Sequence, residues 1–118
     1  MRILVCGDRK YKRYSAILHE LSKYDAATTL IIHGCAQGAD TLAGVAAKKL
    51  GMRVAEYPAD WRQYGKAAGP KRNKLMLDDG RPDLVLAFHD SIATSKGTAN
   101  MLRQAEIAGV ETRLIEYV

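Results

Sequence analysis

Apolar residues fall along this chain in five short runs, and stretches of helical periodicity separate them. Arg2-Ile-Leu-Val-Cys6 is almost continuously apolar and ends at Gly7-Asp8, the pattern of a strand buried on both faces of a parallel sheet. Ile17, Leu18, Leu21 and Tyr24 then recur at helical spacing, which predicts a helix over 13–24, and Thr29-Leu-Ile-Ile32 predicts a second strand. After the turn-rich His33-Gly-Cys-Ala-Gln-Gly38, a second helix carries Ala39, Leu42, Ala43, Ala46, Ala47 and Leu50 on one face. Those mostly small residues suit close packing on a sheet, Gly51 ends the helix, and Arg53-Val-Ala-Glu-Tyr57 predicts a third strand.

Residues 58–70 read as an unusually long connection for an α/β unit, and connections of that length often carry function. Pro70 can open a helix running to about Leu77. Asp83-Leu-Val-Leu-Ala-Phe88 predicts the fourth strand, and Met101, Leu102, Ala105 and Ala108 face inward from a fourth helix stopped by Gly109. Thr112-Arg-Leu-Ile-Glu116 predicts the last strand. This alternation predicts an α/β fold, a Rossmann-like doubly wound three-layer sandwich of about five mostly parallel strands with helices on both faces, in a single domain over 1–118. Ligands of such sheets sit beyond the carboxyl ends of the strands, where strand order reverses, and every candidate site loop follows a strand.

A length of 118 residues, 47% hydrophobic, is enough for one independent core. No run approaches the roughly 18 apolar residues of a membrane span, and Met1-Arg2 with four apolar residues after it lacks a signal-peptide core, so a cytoplasmic protein without a membrane partner is expected. Cys6 and Cys35 form no disulfide framework and no zinc-binding spacing; they read as reduced, buried thiols at strand ends, with no metal and no cofactor expected. The net charge of +5 favours anionic partners. Its densest groups are Arg9, Lys10, Lys12, Arg13 and Lys71, Arg72, Lys74. Polymeric nucleic acid would ordinarily add aromatic stacking platforms or a recognisable motif, so a small phosphorylated ligand explains the charge as well.

Gly34-Cys-Ala-Gln-Gly38-Ala-Asp40 joins a strand to a helix and outlines a phosphate cradle, although two glycines can also merely permit a tight turn with Asp40 supporting the helix dipole. A second glycine loop, Ala93-Thr-Ser-Lys-Gly-Thr98, supplies hydroxyls from Thr94, Ser95 and Thr98, and charge from Lys96 beside Gly97. In Gly7-Asp8-Arg9, Asp8 can bind a ribose hydroxyl or cap a helix, and Arg9 can clamp phosphate or stand in solvent. Trp61, with Tyr64, can stack on a base, while its size favours packing onto the core. Arg72 and Asn73 can point into the same crevice, and cations at a helix start call for a functional explanation. His33 and His89 end strands at the site edge as possible acids or bases, whereas His19 falls on a helix surface.

Val5-Cys-Gly-Asp-Arg9, Gly34 to Asp40, Pro58-Ala-Asp-Trp61, Gly69-Pro-Lys-Arg-Asn73 and Gly97-Thr98, in that order, resemble the SLOG superfamily, specifically its single-domain branch related to YspA and YpsA. The resemblance spans nearly the whole chain. It implies a pocket for nucleotides or derivatives of the NAD, ADP-ribose or nucleoside-monophosphate class, in a sensor or sequestering protein, with roles in phage–bacterium conflict and a homodimer or higher oligomer. Relatives of the LOG branch cleave the N-glycosidic bond of nucleoside monophosphates with an arginine and a glutamate; Arg72 matches the arginine, and Gly97-Thr98 matches part of PGGxGTxxE, but Met101 occupies the glutamate position. A thioether transfers no proton, which argues against that hydrolysis unless Asp8, Asp40 or Asp60 supplies a carboxylate. Arg72, Asp40 and Asp60 are thus the catalytic candidates of an enzymatic alternative. DNA-processing relatives make a single-stranded nucleic-acid module a further one.

Overall fold

The computed structural model of the chain describes residues 1–89 and 96–115. Its strands are β1 (Arg2–Gly7), β2 (Leu30–His33), β3 (Arg53–Glu56), β4 (Leu84–Phe88) and β5 (Glu111–Ile115). All pair in parallel, in the order β3-β2-β1-β4-β5. The helices are α1 (Tyr14–Leu21), α2 (Ala39–Leu50), α3 (Trp61–Tyr64), α4 (Ala68–Asp78) and α5 (Lys96–Ile107), with a 3-10 turn at Gly65–Ala67.

The period of two in the central strands divides the core into two layers. Ile3 and Val5 of β1, with Leu84, Leu86 and Phe88 of β4, pack against Ile17 and Leu21 of α1 and the alanine face of α2. Leu4, Cys6, Val85 and Ala87 face the opposite way, against Met76 and Leu77 of α4 and Met101 and Ala105 of α5. The doubly wound three-layer sandwich is therefore present as its periodicity predicts. Strand order reverses between β1 and β4, whose next helices, α1 and α5, pack on opposite faces of the sheet, and a crevice opens there.

Several boundaries differ from the sequence expectation for local physical reasons. α1 stops at Leu21 because the chain tightens into i→i+3 bonds, Lys23 to Glu20 and Tyr24 to Leu21; Tyr24 still packs on the core without being helical. Gly51 and Gly109 stop α2 and α5 as expected, each with the next residue's amide reaching back, Met52 to Ala47 at 2.8 Å and Val110 to Ala105 at 2.9 Å. The stretch 58–70 is not a long loop: Asp60 caps α3 by accepting from the Gln63 amide at 3.0 Å, and the chain runs through the 3-10 turn into α4 two residues before Pro70. Thr94, Ser95 and Glu116 lie outside the described residues.

Candidate functional site

The crevice is a cleft of about 1030 Å³ walled by the segments after β1, β2 and β3, one side of α4 from Gly69 to Met76 and the first turns of α5. Of the residues singled out in the sequence, Gly7, Asp8, Arg9, Gly34, Asp40, Trp61, Arg72, Asn73, Lys96, Gly97 and Thr98 line it. Gly38 and Asp60 are not among the lining residues: Gly38 packs on the Asp8 and Arg9 backbone, and exposed Asp60 caps α3. Lys10, Lys66, Asn100 and Arg103 line it without belonging to any motif. The last two carried a usable signal, because Lys96, Asn100 and Arg103 repeat at i, i+4 and i+7 along one face of α5.

Asp40 organises the segment after β2. From the first turn of α2 its carboxylate accepts the Gly34 amide at 2.8 Å and the Ala36 amide at 3.5 Å. Burial pushes its pKa up to about 6, against those two amides and the charge of Arg72, which favour the ionised form. The neighbouring Cys35 amide donates to His33 Nδ1 at 3.0 Å, and Ala39 donates to the Asp8 carbonyl at 3.2 Å. The loop outlined as a phosphate cradle thus spends these amides on the protein itself.

Gly7 and Gly38 have steric tasks. A Cβ on Gly7 would collide with the Phe88 carbonyl and Ala39, so a bare backbone lets β1 end against β4 and α2. Gly38 has φ +76 and abuts the Asp8 and Arg9 backbone, which brings the two loops into contact. Asp8 closes a turn with its own chain, Oδ1 accepting from Lys10 N at 2.9 Å, and leaves Arg9 exposed at the cleft.

Across from these loops, Arg72 donates from Nη1 to the Gly34 carbonyl and from Nε to Asn73 Oδ1 at 3.1 Å. Buried Asn73 turns its amide to the start of α5, donating to the Gly97 carbonyl at 3.3 Å and to Asn100 Oδ1 at 3.1 Å. Gln104 adds a bond to the Pro70 carbonyl at 3.2 Å. This chain of bonds holds the amino end of α5, with Lys96 and Gly97 exposed on it, at the mouth of the cleft. Thr98 is buried there. Met101 is wholly buried in the α4/α5 layer.

Trp61 does not pack into the core. α3 holds it 54% exposed on the cleft wall, its ring edge close to Gly69. Tyr64 is exposed too, with Lys71 Nζ 4.8 Å from its ring centre. His33 and His89 are buried and His19 is exposed. Cys6 is a buried thiol, raised by desolvation and then by Asp40. Cys35, expected to be buried, is exposed just past β2 with φ +61.

A parallel doubly wound sheet with a polar, cation-rimmed cleft at its switch point defines a Rossmann-like domain by architecture. The chain belongs to the YspA, cpYpsA-related SLOG family, whose model matches residues 1–64, the half that carries the loops after β1, β2 and β3. The Gene 61 protein of Mycobacterium phage D29 is 32% identical, over 92% of this chain and 91% of the phage protein. Among solved structures, DNA processing protein A (DprA) from Streptococcus pneumoniae superposes with a TM-score of 0.78 at 18% identity, which speaks to the fold. The match covers 99% of this chain and 50% of that one, so this chain spans half the length of its structural neighbour. Among the described residues no helix is long and apolar enough to cross a membrane.

Proposed function

We propose that the cleft binds a phosphate-bearing nucleotide or nucleotide-derived ligand, of the NAD, ADP-ribose or nucleoside-monophosphate class, as a sensor or sequestering site. The observation that carries this reading is the charge of the lining: among the described residues Arg9, Lys10, Lys66, Arg72, Lys96 and Arg103 stand against Asp8 and Asp40. A low-dielectric wall beneath such a rim focuses its field on an anion, and the first turn of α5 adds amides and a partial positive charge. Trp61 offers a flat apolar surface for a base on the same wall. Phosphate belongs at α5 rather than at the start of α2, where Ala39 already donates to Asp8.

Binding without turnover is the simpler chemistry, because the position that holds glutamate in LOG enzymes is here an apolar side chain sealed in the core. The enzymatic alternative rests on Asp40, a buried carboxylate on the cleft wall near Arg72, with a pKa close enough to neutrality to exchange a proton. Isothermal titration with ADP-ribose, NAD and AMP, followed by chromatography of the mixtures, tests both. Saturable binding with ligand recovered intact is expected; product formation that Asp40→Ala abolishes would establish the enzyme instead.

A second reading, a single-stranded nucleic-acid module, gains from exposed Trp61 and Tyr64 on one short helix among Arg62, Lys66 and Lys71. The structural neighbour's name, a DNA processing protein, points the same way. Oligonucleotide titrations at two salt concentrations decide it: tight binding that weakens steeply with salt favours nucleic acid.

A further inference from the structure

His33 and Glu56 are register partners at the carboxyl ends of β2 and β3, so the ladder holds their side chains side by side on the α2 face of the sheet. Nε2 of His33 lies 3.7 Å from Glu56 Oε2, and Cys35 Sγ lies 3.6 Å from the same oxygen. One donor atom from each of the three residues falls within 4.8 Å of the others. Zinc at its usual distances of about 2.0 Å to nitrogen or oxygen and about 2.3 Å to sulfur sets tetrahedral ligand atoms roughly 3.3–3.5 Å apart. Two of the three edges are therefore already close to the length a bound ion would impose.

We propose that His33, Cys35 and Glu56 form a three-ligand site for a borderline divalent transition-metal ion, zinc foremost, on the rim of the cleft. The donor set selects that class, since a thiolate and an imidazole suit zinc and its neighbours while magnesium and calcium take oxygen. Access is provided for: Cys35 and Glu56 are exposed, and Gly44 of α2 leaves room beside the ring, where a Cβ would stand 3.0 Å from Nε2. Three protein ligands leave a tetrahedral ion one open position, and one of the three, Cys35, also lines the cleft.

Binding is chemically balanced without a further reactant. The Cys35 thiol loses its proton to solvent, and thiolate and carboxylate together offset the two positive charges of the ion. The ring must also change tautomer. His33 Nδ1 now accepts from the Cys35 amide, which places the ring hydrogen on Nε2. A metal on Nε2 moves that hydrogen to Nδ1 and turns the Cys35 amide away. Cys35 is one of two non-glycine described residues held at positive φ, a conformation that this movement can release.

Tag-free full-length protein, stripped with a chelator and titrated with Co²⁺, tests the site. One equivalent should produce a thiolate-to-cobalt charge-transfer band and visible bands of tetrahedral cobalt, both lost when Zn²⁺ is added. Cys35→Ser should remove the charge-transfer band although Cys6 remains. Glu56→Gln, at an exposed position that leaves the fold intact by circular dichroism, should weaken Co²⁺ binding about tenfold or more, since even outer-shell changes cost about 10–100-fold. Absence of the band at one equivalent, its survival in Cys35→Ser, or unchanged affinity in Glu56→Gln would each overturn the assignment.

Discussion

Arg72 on α4 donates through Nη1 to the carbonyl oxygen of Gly34, so one guanidinium joins two walls of the cleft. A Cβ on Gly34 would fall on that guanidinium. Arg72→Ala should cost stability by about 1.5–3 kcal/mol, the range for hydrogen bonds to charged groups, and weaken ADP-ribose binding about tenfold or more. Gly34→Ala should reproduce the binding defect by displacing the side chain, and Lys74→Ala, an exposed residue paired with Asp78 on its own helix, should change neither. Urea denaturation and calorimetry read the two effects separately.

Gly38 and Gly97 should separate structure from binding. Gly38→Ala puts a side chain at φ +76 into the Asp8 and Arg9 backbone and should lower stability by about 2 kcal/mol or more. A Cβ on Gly97 meets nothing within 4 Å among the described residues, and alanine is the better helix former by about 1 kcal/mol. Gly97→Ala should keep or raise the melting temperature while reducing affinity for a phosphorylated ligand. Undiminished affinity would place the phosphate elsewhere.

Asp40 predicts a pH dependence of definite sign. Its pKa of about 6 in the fold exceeds the ordinary 3.8, so between about pH 4 and 6 the folded state holds more protons than the unfolded one. Its contribution to stability therefore falls as pH rises through that window, a cost of about 3 kcal/mol once complete at neutrality. Asp40→Asn keeps an acceptor for the Gly34 amide and cannot ionise. Its stability relative to wild type, from urea melts at pH 4.5 and 7, should be greater at pH 7; a constant difference would remove the buried charge from the account.

Met101→Glu tests whether chemistry was lost by one substitution. The side chain is wholly buried among Leu4, Cys6, Val85 and Ala105, so a carboxylate there should destabilise the fold by about 3 kcal/mol or more. It should yield no release of base from AMP by chromatography. A stable, hydrolytic variant would show that the cleft is one residue from an enzyme.

The central strands, the alanine face of α2 and the glycine stops of α2 and α5 were legible because each depends on short-range periodicity or turn geometry. The resemblance of the ordered motifs named the family for the same reason, since motifs are local. α3 was legible in part: Asp60-Trp-Arg-Gln63 has the spacing of a helix start, and the glycines and Pro70 around it obscured the signal.

What the chain alone determined is the order of the strands and of the longer helices, though not α3, because side-chain alternation and helix caps act over a few residues. Only the tertiary structure decided which residues share the cleft and what each one does there. Arg72 meets Gly34 across 38 positions, and Glu56 joins His33 and Cys35 through strand register. The glycine loop after β2, in outline a phosphate cradle, proves to hold a buried carboxylate on its own amides. Burial and hydrogen-bond commitment are properties of packing, and packing joins segments that sequence spacing keeps apart.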